Sequence, residues 1–151
     1  MTFPKARLAV SACLFVAWLV FLFVVWVRSS PIILSKPQFL IAELYVIVEA
    51  RDERGKADPE VIVEEVLWAS DPADEHLVNK TLRLPDLSTC GEQHGYKGAG
   101  KYLVPLVKSA GIPYRIAPVP RDDIRQASMP RIYVWKPDLR GQVAEIVAAK
   151  K

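Results

Sequence analysis

The chain has 151 residues, the length of one folded domain, with 51% apolar residues and a formal net charge of +3. Of its two cysteines, Cys13 falls inside an uninterrupted apolar run, so a disulfide within the folded part is excluded. From Lys36 onward seventeen basic residues face seventeen acidic ones, a balance that argues against nucleic acid as a partner.

Residues 1–7 carry Lys5 and Arg7, and residues 8–27 (LAVSACLFVAWLVFLFVVWV) contain no charge, proline or glycine. Twenty helical residues span roughly 30 Å, the thickness of a bilayer's hydrocarbon core. Thirteen of the twenty are Leu, Phe or Val, and each favours insertion by about 0.3–0.6 kcal/mol. The run is too long for the apolar core of a cleaved signal peptide, and Arg28-Ser29-Ser30-Pro31 follows it instead of a small-residue cleavage site. Val10-Ser11-Ala12-Cys13 superficially matches a lipoprotein box, but most of the apolar run comes after the cysteine. We therefore expect a transmembrane helix over 8–27 in contact with the lipid bilayer. Lys5, Arg7 and the α-amino group outweigh Arg28 and Lys36 slightly, so residues 1–7 are expected in the cytoplasm and the following domain on the non-cytoplasmic side.

Residues 28–37 (RSSPIILSKP) read as a juxtamembrane linker held extended by Pro31 and Pro37. The folded part is expected over 38–151. Phe39–Arg51 (FLIAELYVIVEAR) alternates with a period of two and predicts a long half-buried strand, followed by a polar turn over 52–59. Val61–Trp68 reads as the returning strand, bulged where Glu64 and Glu65 break the alternation. Adjacent strand residues point to opposite faces, which argues against these two glutamates as a catalytic pair. Thr81–Leu84, Tyr102–Val107, Tyr114–Val119 and Arg131–Trp135 read as short strands, and Pro105 marks an edge or a break. Over 138–151, Leu139, Val143, Ile146 and Val147 form the apolar stripe of a C-terminal helix, with Asp138 placed to cap it. The expected fold is thus a transmembrane α-helix followed by a small β-rich domain. That domain is an antiparallel OB-like barrel or sandwich with a C-terminal α-helix.

Three patterns could carry chemistry. Gly95–Lys101 has the G-x-x-x-x-G-K spacing of a phosphate-binding loop, but Tyr102 stands where Ser or Thr must hold magnesium. Cys90 and His94 could form a thiol nucleophile and its base, though no oxyanion site is evident, and two soft ligands are too few for a metal. Asn79-Lys80-Thr81 fits the glycosylation tripeptide, a pattern that also arises by chance. No metal site and no cofactor is expected.

Charge segregation says more. Pro37–Gln93 holds five basic and thirteen acidic residues, a net of −8, whereas His94–Lys136 holds eight basic and two acidic, a net of +6. Aromatics interleave with cations in the basic part, giving a candidate binding set of Tyr96, Lys97, Lys101, Tyr102, Arg131, Tyr133, Trp135 and Lys136. Such a face could grip an envelope protein or an acidic polymer. The alternative is that acidic and basic strands neutralise one another across the sheet.

The apolar span, the SKPQFL segment, VNKTLRLPDLSTCG and GAGKYLVPLV together resemble short, uncharacterised single-pass bacterial membrane proteins over most of the chain. The resemblance implies a bacterial envelope setting, discounts glycosylation and carries no activity. The expected function is a non-enzymatic membrane-tethered interaction module. The alternatives are an accessory subunit of a larger membrane complex and, further off, an enzyme using Cys90 and His94.

Overall fold

The structure, a computed structural model, describes residues 3–28, 31–51, 59–90, 95–120 and 129–150. All of the expected turn over 52–59 except Pro59, together with His94 and the whole of 121–128, lies outside these residues. The chain divides into two compact units, Met1–Ile33 and Leu34–Lys151.

The first unit is built on one helix, α1 (Phe3–Arg28). Its stretch Leu8–Val27 has a mean hydropathy of 2.8, and every side chain of that stretch is exposed. Apolar residues surround the axis with no polar stripe, a surface suited to a hydrocarbon environment and long enough to cross one.

The second unit is a six-stranded antiparallel sheet, nearly closed into a barrel, with a C-terminal helix. Its strands are β1 (Leu44–Ala50), β2 (Glu60–Ala69), β3 (Thr81–Arg83), β4 (Gly100–Ser109), β5 (Ile112–Ile116) and β6 (Tyr133–Val134). They run in the order β3-β2-β1-β4-β5, and β6 shares the outer edge of β4. The helical elements are α2 (Lys36–Ile41), a 3₁₀ turn over Pro72–Leu77, α3 (Leu87–Cys90) and α4 (Leu139–Lys150). Between β5 and β6 the chain leaves the sheet through a bridge of Pro118 with Pro130 and a bond from Val119 N–H to Met129 O at 3.4 Å. Side chains span the gap between the sheet's free edges: Tyr114 on β5 bonds Asp74, and Arg115 bonds Asp86 just past β3.

Alternation explains the two layers. Leu44, Val46 and Val48 of β1 point inward with Val61, Val63, Tyr102, Val104 and Leu106 to form the barrel core. The reverse faces of β1 and β4 carry Tyr45, Ile47 and Leu103, which are also buried, beside Phe39, Tyr133, Leu139, Val143 and Ile146. This second layer is aromatic, with ring centroids 5.0 Å apart for Phe39 and Tyr45 and 4.8 Å for Tyr45 and Trp68. The sequence led us to expect one half-buried strand from Phe39; the structure corrects both points. Phe39–Ile41 belongs to α2, and β1 is buried on both faces because α2 and α4 cover its outer side.

What turns Phe39–Ile41 into a helix is tertiary. Gln38, fully buried, donates through Nε2 to Ala117 O (2.7 Å) and Arg131 O (2.8 Å), and its Oε1 accepts from Tyr133 Oη at 2.9 Å. Pro37 sits in the first turn, where its missing N–H costs nothing. At the other end the Lys150 ammonium donates to Phe39 O and Ala42 O while lying 4.1 Å from the Trp68 ring centroid. Burial lowers the Lys150 pKa.

Two local features adjust the sheet. β2 carries extra residues at Glu64 and Leu67, where the register with β1 slips. The bulge at Glu64 overturns the expectation that Glu64 and Glu65 face apart. Glu64 reaches Lys101 and Glu65 reaches Arg140, both on the outer side of the sheet. Pro105 lies within an interior strand, at the one stretch of β4's outer edge where pairing passes from β6 (Tyr102, Leu103) to β5 (Leu106 onward). Its carbonyl accepts from Ala117 N–H at 2.8 Å, so only the donor that proline lacks goes unused.

Candidate functional site

The structure separates the expected binding set into a buried half and an exposed half. Tyr96, Tyr102 and Tyr133 are 7%, 2% and 3% exposed, so their rings pack inside and offer no stacking platform. Tyr96 and Tyr102 meet at 5.6 Å between centroids. The Tyr102 hydroxyl donates to Gly98 O at 2.7 Å and accepts from Lys97 N–H at 3.1 Å. This tyrosine therefore plugs the turn that resembled a phosphate loop and occupies an amide such a loop would aim at its anion. β4, not a helix, follows. Gly95 is required there: its φ is +102°, and a Cβ would come within 1.9 Å of Ile132 O.

Part of the exposed half converges. Trp135 N–H donates to Lys101 O at 2.9 Å, which joins these two residues at the β4–β6 edge on the outer side of the barrel. The Arg140 guanidinium lies 5.4 Å from the Trp135 ring centroid and grips Glu65 through two bonds of 2.9 and 2.6 Å. Hydrogen bonding by Arg140 lowers the Glu65 pKa. Lys101 contacts Glu64 at 2.6 Å, and that bond raises its pKa. Lys136 is half-buried beside Trp135 in the chain, Lys97 is exposed, and Arg131 is exposed with its guanidinium 5.7 Å from the Tyr133 ring centroid. Lys101 and Arg140 thus lie beside Trp135, each paired with a glutamate. Solvent-exposed ion pairs of this kind contribute about 0–1 kcal/mol each.

Acidic residues of the first half of the domain do pair with basic residues of the second. Glu64 meets Lys101, Glu65 meets Arg140 and Asp86 meets Arg115. A fourth grouping, at the gap in the barrel, went unseen in the sequence. Asp74 is 3% exposed; its Oδ1 accepts from Tyr114 Oη at 2.8 Å, and its Oδ2 lies 3.0 Å from Lys108 Nζ in an ion pair outside hydrogen-bond geometry. Asp71 also contacts Lys108, at 3.2 Å, and caps the 3₁₀ turn through Ala73 N–H at 2.9 Å. Burial and then Asp74 push the Tyr114 phenol up to about 12, while the neighbouring Asp74 and Asp71 carboxylates raise the Lys108 pKa. The one sequence signal for this turn was Asp71-Pro72, a capping residue followed by proline at the first helical position.

Cys90 is fully buried at the end of α3, and its thiol donates to Pro130 O at 3.4 Å. Burial, helped by the Asp86 charge, pushes its pKa up to about 12. A thiol held protonated inside a core is inert as a nucleophile at neutral pH. Among the described residues no group of three or more His, Cys, Asp or Glu is arranged to hold a metal. Comparison with family models, with curated proteins and with solved structures finds no match for this chain.

Proposed function

We propose that α1 inserts in a bilayer and that the second unit is an OB-like, non-enzymatic interaction module held close to that membrane. The observation that carries the reading is the surface of Leu8–Val27, twenty residues exposed on all sides with no charge and nothing polar beyond Ser11 and Cys13 to face water. The slight excess of Lys5, Arg7 and the α-amino group over Arg28 and Lys36 favours the module on the non-cytoplasmic side. Its contact patch would be Lys97, Lys101, Arg131, Trp135 and Lys136, joined by Arg140, and its partner an envelope protein or an acidic polymer. The buried tyrosines Tyr96, Tyr102 and Tyr133 support the patch from within.

Replacing Lys97, Lys101, Arg131 and Lys136 together with Glu, in the full chain, tests the patch. These side chains are outside the core, so thermal unfolding should stay close to wild type while partner capture in a crosslinking pulldown is lost. Unchanged capture by the folded variant would overturn the assignment.

A second reading, an accessory subunit, is favoured by an apolar groove of about 470 Å³ between Leu67 on the β2 bulge and Val143, Ala144, Val147 and Ala148 on α4. Copurification with a larger complex that is lost on Ala144→Glu and kept in the charge-reversed variant would select it.

A further inference from the structure

Leu40 and Ile41, the last two residues of α2, are each 46% exposed although they belong to a helix locked to the sheet. Their orientation is not left to chance. Gln38 and Phe39, the buried face of the same helix, are held by the three Gln38 bonds and by the Lys150 contact with Phe39 O. The fold therefore fixes two large aliphatic side chains facing outward at a defined place.

That place is set by chain length. Lys36, at the start of α2, is nine residues beyond Val27, the last residue of the apolar stretch. Even fully extended, such a segment reaches only about 30 Å, less than the roughly 35 Å diameter of a folded unit of this size. Once α1 is in a bilayer, α2 cannot leave its neighbourhood. Two protruding aliphatics do not make a groove that a protein would need to match in shape. They suit the boundary between headgroups and acyl chains, which needs only an apolar protrusion with a cation beside it. Lys36, exposed at the other end of α2, supplies the cation.

We propose that Leu40, Ile41 and Lys36 form a lipid-docking surface that seats the second unit on the bilayer in which α1 is anchored. This rests on reading α1 as a membrane span. Docking turns the α2 side towards lipid and leaves the β3 end of the sheet facing away from it.

The test uses the full chain carrying Cys13→Ala, in vesicles of phosphatidylcholine with a minority of phosphatidylglycerol; Cys90 is shielded by burial. An environment-sensitive fluorophore is attached after Ile41→Cys and, as a control, after Arg83→Cys at the opposite end of the sheet. The expected result at position 41 is a blue-shifted emission, quenched several-fold more by lipid carrying a shallow spin label than by aqueous iodide, with the reverse order at position 83. Adding Leu40→Glu should return position 41 to the iodide-sensitive state without altering the unfolding transition. Alkaline carbonate extraction of the same vesicles separates the two ideas. Chain retained by the membrane with an iodide-sensitive probe at position 41 overturns docking and leaves the anchor standing, whereas chain released by carbonate overturns both. Protection from iodide in native membranes but not in pure lipid vesicles assigns the surface to a protein and also overturns the proposal.

Discussion

The Tyr114 hydroxyl donates to Asp74 Oδ1 at 2.8 Å, and that bond joins two parts of the barrel that no backbone ladder connects. Asp74 is buried, so its carboxylate depends on the tyrosine and on Lys108 for the solvation it has given up. Tyr114→Phe should lower stability by about 1–3 kcal/mol, the cost of stranding a buried acceptor. Asp74→Asn keeps an acceptor for Tyr114 and should cost less. Urea midpoints of the two variants, at unchanged slope, check the order; equal losses would mean that the hydroxyl is not the member holding the gap.

Alkaline titration provides a second handle. A thiol or phenol whose folded pKa lies above its unfolded value keeps its proton when folded and loses it when unfolded. Stability is then intact below the unfolded value and falls as pH rises towards the folded one. Cys90 is raised from 9.0, and Tyr45 and Tyr114 from 10.0, each to about 12. These three groups leave stability level from neutral pH up to about pH 9 and make it decline from there to about pH 12. Cys90→Ala should move the onset of the decline to about pH 10. The same burial predicts that, in a Cys13→Ala chain, maleimide reacts with Cys90 only after denaturant is added. Labelling of the native chain at the rate of a free thiol would contradict the core position of Cys90.

Gln38 tests the clamp that holds α2. Gln38→Leu fits the same space but leaves Ala117 O, Arg131 O and the Tyr133 hydroxyl short of a partner. At about 1 kcal/mol or more for each buried group left unpaired, the expected loss is about 3 kcal/mol. Chymotrypsin in native buffer should then cut after Phe39 earlier than in wild type, since the helix peels away before the barrel unfolds. Uniform loss of protection across the chain would show instead that α2 and the barrel form one cooperative unit.

The sequence spoke clearly where one physical requirement dominated. Leu8–Val27 could hardly be anything but an apolar helix, and the stripe of Leu139, Val143 and Ile146 announced α4 because one face of an isolated helix must be covered. The β2 bulge at Glu64 was visible as a broken alternation. α2 was hidden because Phe39 and Ile41 suit a strand equally well, and the deciding interaction, Gln38 with Ala117 and Arg131, spans more than seventy residues. The tyrosines misled for a different reason. An aromatic beside a cation looks the same whether the ring points in or out. Only the parity shared by Tyr102, Val104 and Leu106 marks Tyr102 as inward, and Gly-rich neighbours drew attention away from it. Asp74 had no periodic signal at all, since a 3₁₀ turn imposes none.

The bridge between Pro118 and Pro130, with Val119 N–H on Met129 O, has a practical consequence. The exit from β5 and the approach to β6 are thereby tied by backbone contacts of their own, outside the ladders that either strand makes with β4. New chain termini introduced between Val119 and Met129 would leave those contacts in place, so a permuted chain opened there should keep the register of both strands.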